Sequence, residues 1–319
     1  MMWKNLLFEY LDDDLNRKYA QFIFRKLLQA NLRKGRFVIK HQNYRLELKE
    51  GDIVNKEKEI CEFIVKKSIN EGYNAMVIPF IVSKEQAPNF YISTERPREE
   101  ELLWWLYHLI TGLHFGNYVI NIANVDKKIL EEFRKYLKEN NFLIFREERM
   151  GLDIKEMLSK FNLPGMFLDE FIFGFLILAY FSKFLSEMKE KARISRELKD
   201  SGHKIDEILS VTDEASLLIF VLSRQKKKVY IFPKLRKLIL SWFNEPEKLS
   251  SFLFSFYITD KTYRDLSRSL LNKFLYYFLQ NKVNGELLSK LTELKISYEL
   301  KRKGRIYRIK NAEQFFSKL

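Results

Sequence analysis

The sequence predicts an α+β protein: an N-terminal mixed sheet with packed helices, then a mainly helical C-terminal lobe ending in a winged-helix-like ribbon. Three observations predict it. Strand-like and helical periods alternate through residues 1–150, helical period prevails over 152–295, and a basic, aromatic-rich stretch closes the chain. The change of character at Met150-Gly151 divides the chain into a mixed α/β domain, 1–150, and a mainly helical basic domain, 151–319.

Asp12-Asp13-Asp14 precedes a run from Leu15 to Leu28 with apolar residues at helical spacing, so the acids stand where a helix start favours negative charge. Residues 36–40 and 44–48 alternate apolar and polar around His41-Gln42-Asn43, which reads as a β-hairpin. A helix over 56–69, a buried strand over 74–83 and a polar loop over 84–89 follow. Then come a helix over 98–111, a strand over 118–122, a helix over 126–140 and a strand over 142–147.

Beyond Gly151 the reading gives a helix over 152–161, a break at Pro164-Gly165, and a long helix from about Met166 to Leu198 that ends at Ser201-Gly202-His203. Residues 213–223 read as helical and 228–232 as a short strand. Helices are expected at 234–243, 247–257, 263–279 and 284–292. Residues 298–301 and 305–309 are expected to pair as a ribbon around Lys303-Gly304, before a last helix over 312–319.

Charge is uneven. Residues 1–150 carry 25 Lys/Arg and 22 Asp/Glu, a surplus of +3, so the remainder holds +11 of the total +14. Residues 251–319 alone carry 14 cations against 6 acids. Cations on a folded, aromatic-rich surface suit a polyanion, because neutralising phosphates releases condensed counterions at little ordering cost. The clearest clusters are Arg224, Lys226, Lys227 and Lys228, continued by Lys234, Arg236 and Lys237, and a second run of Lys301, Arg302, Lys303, Arg305 and Arg308. Arg33, Lys34 and Arg36 form a smaller patch. In the loop over 84–89, Lys84, Gln86 and Asn89 could contact a base edge, the two amides bidentately.

Other classes are disfavoured. The apolar run from Phe171 to Tyr180 is about half of what spans hydrocarbon, so a buried core helix is expected there and no membrane partner. A basic region followed by an apolar stretch and a cleavage site is missing at the N-terminus, which points to a cytoplasmic chain. The single cysteine, Cys61, excludes an intramolecular disulfide and multi-cysteine metal sites. Abundant Lys, Glu, Ile and Phe with only 11 Gly and 6 Pro suit a thermophile.

Each potential catalytic group has a simpler explanation. Asp12 and Asp14 could be a metal-binding pair but fit helix capping better. His108 and His114 lack a carboxylate or cysteine at ligand spacing, and Cys61 reads as a buried thiol. Arg196 and His203 have the spacing of some all-helical ribonucleases, although Ser201 and Gly202 break the helix between them. Arg36 and His41 show a shorter version of that spacing in strand-like sequence. No phosphate-cradling glycine motif occurs. The expectation is therefore no catalytic residue, no metal and no cofactor.

Asp265–Leu279, Asn284–Leu291 and Tyr298–Lys303 resemble the C-terminal helices of large subunits of archaeal type I-A CRISPR Cascade effector complexes. The length and the order of mixed and helical parts are also similar to compact members of that family. The resemblance implies a non-catalytic RNA-binding and DNA-binding subunit in antiviral defense. Its partners would be guide RNA, target double-stranded DNA, other Cascade subunits and the helicase-nuclease it helps recruit. Sequence would then be read by guide pairing, and a short flanking motif by a few polar side chains. Two alternatives stay open: a metal-independent ribonuclease using Arg196 and His203, and a winged-helix DNA-binding replication factor.

Overall fold

Asp13 sets the first corner of the chain. Helix α1 (Met2–Asp12) ends before it and α2 (Asp14–Leu28) begins after it, while its Oδ1 accepts the Asn16 amide at 2.9 Å as an N-cap. The acidic run thus lies at a helix start, and α1 is an additional helix that the sequence reading did not include. The computed structural model describes residues 2–28, 32–33, 36–41, 44–49, 51, 53, 55–71, 98–146, 149–159, 170–198, 214–222, 227–232, 253, 255–256, 258, 260–279 and 284–303. The expected strand over 74–83 and helices over 234–243 and 312–319 lie outside these residues, as does most of that over 247–257.

Two compact units form, each drawn from separated stretches of chain. The first comprises Met1–Ala123, Phe145–Leu152 and Leu217–Ile231; the second comprises Asn124–Ile144, Asp153–Ser216 and Phe232–Leu319.

In the first unit, β1 (Leu32–Arg33), β2 (Arg36–His41) and β3 (Tyr44–Lys49) make an antiparallel sheet in that order. Helix α3 (Glu57–Glu71) follows, then α4 (Glu99–Thr111). Three glutamates fill the first turn of α4, where the helix dipole favours them. After that turn most of α4 is buried, from Leu102 to Thr111, because it packs against α1, α2, α3 and the strand β5. Leu7, Phe24, Ile60, Leu106, Val119 and Phe220 belong to the resulting core. A second sheet has the order β4 (Leu113–Phe115), β5 (Tyr118–Ala123), β8 (Ser216–Leu222), β9 (Lys227–Phe232).

The segment 213–223, expected to be helical, holds the strand β8. Its apolar run Leu217–Leu222 is buried on both faces apart from part-buried Val221, so it shows neither helical nor alternating period. Length and the Ile-Phe-Val enrichment are the signals that identify such a strand.

The second unit is built on α7 (Glu170–Leu198). The stretch Glu170–Lys191 is long and apolar enough to cross a membrane, yet 78% of its most apolar window is buried inside the protein. It is the core helix of this unit. Phe181 meets Phe133 of α5 (Lys127–Glu139) edge-on at 5.0 Å, and Phe175 meets Phe278 of α8 (Lys261–Leu279) at 5.6 Å. The hairpin β6 (Leu143–Arg146) and β7 (Arg149–Leu152), which belongs to the first unit from Phe145 to Leu152, precedes the short helix α6 (Ile154–Ser159) of the second.

The C-terminal ribbon requires correction. Residues 298–301, expected as its first strand, are the last turns of one continuous helix, α9 (Gly285–Lys303), where a helix over only 284–292 was expected. Asn284 caps its start through the Leu287 amide at 3.1 Å, and buried Tyr298 packs on Tyr263 of α8 at 5.7 Å. That packing holds 298–301 in the helix rather than in a strand, and Gly304 lies outside the described residues. The expected second strand, 305–309, lies outside the described residues.

Two glycines separate backbone strain from crowding. Gly151 has φ +128° and a Cβ there would strike the His114 carbonyl of the adjacent strand; Gly116 has φ +54° and open space around it. Gly151→Ala is expected to destabilise by about 2 kcal/mol or more, and Gly116→Ala by about 1 kcal/mol, in urea unfolding. Equal losses would show that the β4–β7 approach is not tight.

Candidate nucleic-acid interface

The expected basic positions fall at the ends and edges of elements. Lys227 and Lys228 open β9, the outermost strand of the four-stranded sheet. Edge strands commonly carry lysines, because a charged edge resists pairing with another chain. Lys301, Arg302 and Lys303 close α9, where cations complement the negative end of the helix dipole. Arg33 and Arg36 are Cα partners across the β1–β2 ladder. That pairing brings two expected residues together. Lys34, Lys84, Gln86, Asn89, Arg224, Lys226, Lys234, Arg236, Lys237, Arg305 and Arg308 lie outside the described residues.

The sheet-edge and helix-end placements have a structural role as well as a ligand-binding capacity. A cation at a helix end or on a sheet edge can stay in solvent, which avoids the desolvation penalty of a buried charge. Such fixed cations can meet phosphates with little further loss of side-chain freedom.

Asp12, Asp14 and Cys61 have structural surroundings that account for them. Asp12 pairs with Lys58 at 2.9 Å and Asp14 with Arg17 at 3.5 Å, flanking the Asp13 cap. Among the described residues no group of three or more His, Cys, Asp or Glu is placed to hold a metal ion. Cys61 is fully buried in α3, and burial pushes its thiol well above the usual range, so it stays protonated and unreactive. Arg36 and His41 are five residues apart along β2, which sets them on opposite faces of the strand. Arg196 lies within the continuous helix α7, and His203 lies outside the described residues.

His108 and His114 flank the α4–β4 corner, which carries a buried polar cluster that the sequence reading missed. Asn121 of β5 places its Nδ2 at 2.9 Å from the His108 carbonyl, 3.0 Å from Thr111 Oγ1 and 3.2 Å from His108 Nδ1. Its Oδ1 accepts the Ile122 amide, and Tyr19 of α2 donates to the Gly112 carbonyl at 2.6 Å. The signal for this cluster was a lone asparagine in an otherwise apolar strand, Tyr-Val-Ile-Asn-Ile-Ala. The rings of Trp3, Trp104 and Tyr107 surround His108 at centroid distances of 5.9, 4.5 and 5.4 Å. Burial pushes His108 down to about 3. His114, against Phe22 at 4.8 Å, is pushed down to about 4 by burial and by the Lys26 ammonium. Both imidazoles are neutral structural groups at pH 7.

No known protein family, curated protein or solved structure matches this chain.

The two histidines fix a pH dependence. Their folded values lie below the ordinary 6.5, so the unfolded chain binds more protons between about pH 6.5 and 4. Stability is therefore expected to fall as pH drops through that window, by up to about 1.4 kcal/mol per pH unit for each histidine. Thermal unfolding followed from pH 7 to 4 checks this. In His108→Asn the slope is expected to flatten; an unchanged slope would mean that His108 does not titrate with unfolding.

Proposed function

We propose that this chain is a non-catalytic nucleic-acid-binding protein whose cations hold phosphate backbones. The formal charge of +14, concentrated beyond residue 150, carries the reading. Lys227 and Lys228 stand on an edge strand and Lys301, Arg302 and Lys303 on the last turn of a helix, which supports docking by ordered cations rather than by a loose tail. Asp12 and Asp14 are paired, and Cys61, His108 and His114 are buried, which favours binding over chemistry.

The biological setting we propose is the large subunit of a type I-A Cascade complex, acting in antiviral defense. The three stretches that resemble that family lie largely in α8 and α9, in keeping with their likeness to paired C-terminal helices. In that role the chain would contact guide RNA and target DNA, help inspect the flanking motif with Lys84, Gln86 and Asn89, and assist recruitment of the helicase-nuclease. The guide strand supplies sequence reading; the protein supplies charge and shape.

Binding by phosphate contact has a defined signature. Lys226→Ala, Lys227→Ala and Lys228→Ala combined are expected to weaken binding about equally for unrelated sequences. The slope of log affinity against log salt is expected to fall by up to about 2.7, at roughly 0.9 per duplex phosphate contact. Titration by fluorescence anisotropy at several salt concentrations reads both quantities. Unchanged affinity rejects this patch. His203→Ala addresses the ribonuclease alternative: RNA cleavage by the wild type that disappears in this variant, with binding retained, would overturn the non-catalytic reading.

A further inference from the structure

The three-stranded sheet of the first unit divides its residues by charge with little mixing. The pairs Arg33↔Arg36, Arg36↔Lys49, Val38↔Glu47 and Lys40↔Arg45 lie on one face of the ladder. The pairs Leu32↔Phe37, Phe37↔Leu48, Ile39↔Leu46 and His41↔Tyr44 lie on the other. The described side chains of β3 fix which face is which. Leu48 is buried in the core, while Glu47 and Lys49 on either side of it are exposed. The period of two then assigns Arg33, Arg36, Lys40 and Arg45 to the same face as exposed Lys49. Five cationic positions share that face with a single carboxylate, so its surplus is 5 − 1 = +4.

The register sets like charges directly opposite one another, in one row of three (Arg33, Arg36, Lys49) and one of two (Lys40, Arg45). Like charges across a ladder destabilise it. A bound polyanion removes the repulsion.

We propose that the outer face of β1–β2–β3 is a docking surface for the sugar-phosphate backbone of a double-stranded nucleic acid. This deepens the nucleic-acid reading above and rests on it. The two rows are four residues apart along the strands, about 13 Å, and the row of three spans about 10 Å across them. The hydrogen-bonded ladder holds this grid rigid, as the regular phosphates of a duplex require. The chemistry of the face excludes other occupants. It carries no aromatic position, so it offers no stacking platform for single-stranded bases. Its one apolar position, Val38, gives no wedge for a lipid headgroup layer and no aromatic anchor for a protein partner. Contacts made only with phosphates are indifferent to sequence.

The test compares the full-length chain with the triple variant Lys40→Gln, Arg45→Gln, Lys49→Gln. A charge-conserving control carries Lys40→Arg, Arg45→Lys and Lys49→Arg. The probes are a mixed-sequence 30-base-pair duplex, a single strand of the same length, and vesicles containing phosphatidylserine. The neutral variant is expected to stay folded, with an unfolding temperature no lower than wild type because repulsion is relieved. Its duplex salt slope is expected to fall by about 2.7, so that a fourfold rise in salt costs it about 40-fold less affinity than wild type. The control is expected to match wild type. An unchanged duplex slope, a loss confined to the single strand, or a loss confined to vesicles overturns the assignment of this face. If wild type binds no duplex at all, the nucleic-acid reading fails with it; wild-type binding with an unaffected variant rejects only this face.

Discussion

The carboxamide of Asn121 is the interaction on which the first unit depends. Helix α4 touches α1, α2, α3 and β5, so the orientation of this one helix determines where the other elements of that unit can pack. Its C-terminus is fixed to β5 by Asn121, whose amide reaches a carbonyl, a hydroxyl and an imidazole within 3.2 Å. An amide buried without these partners would leave groups unsatisfied at roughly 1–3 kcal/mol each, which makes any other docking of α4 on the strand expensive. Tyr19 adds a tie from α2 to the Gly112 carbonyl. Gly112 itself has no room for a side chain, since a Cβ would approach Val119 Cγ1 to 2.5 Å. A polar cluster therefore specifies the geometry that the apolar core then fills.

That rigid frame changes what the positive charge can do. A flexible lysine-rich tail would lose freedom on meeting a phosphate backbone, whereas cations on strands and helix ends are already placed. The three described basic groups differ in their internal compensation. The end of α9 is stabilised by the helix dipole, and Lys227 and Lys228 protect a sheet edge. On the outer face of β1–β2–β3 the register opposes like charges.

Helices with a sustained helical period were legible in the sequence. The expected helices over 56–69, 98–111 and 126–140 match α3, α4 and α5 within two residues at either end; the cap of α5 by Asp126, through the Lys128 amide, is a finding of the structure. The first hairpin was legible from its alternation, but its charged face was only partly so. Arg33 and Arg36 were adjacent enough in sequence to be noticed; Lys40, Arg45 and Lys49 join them only once the pairing register is fixed. Two segments misled for opposite reasons. Strand β8 is apolar on both faces and so carries no period, while 298–301 is held in a helix by packing against α8 that spacing along the chain does not encode. The Asn121 cluster joins residues from α2, α4 and β5, and spacing along the chain does not encode such a meeting.

Amine acetylation of the full-length chain, with and without a mixed-sequence duplex and read by peptide mass spectrometry, tests most directly whether ordered cations hold a phosphate backbone. The account predicts protection of Lys40, Lys49, Lys227, Lys228, Lys301 and Lys303. Lys4 and Lys58, each held 2.9 Å from a carboxylate in Glu62 and Asp12, keep their reactivity. Uniform protection of all lysines, or none at these six while the duplex is bound, would contradict it.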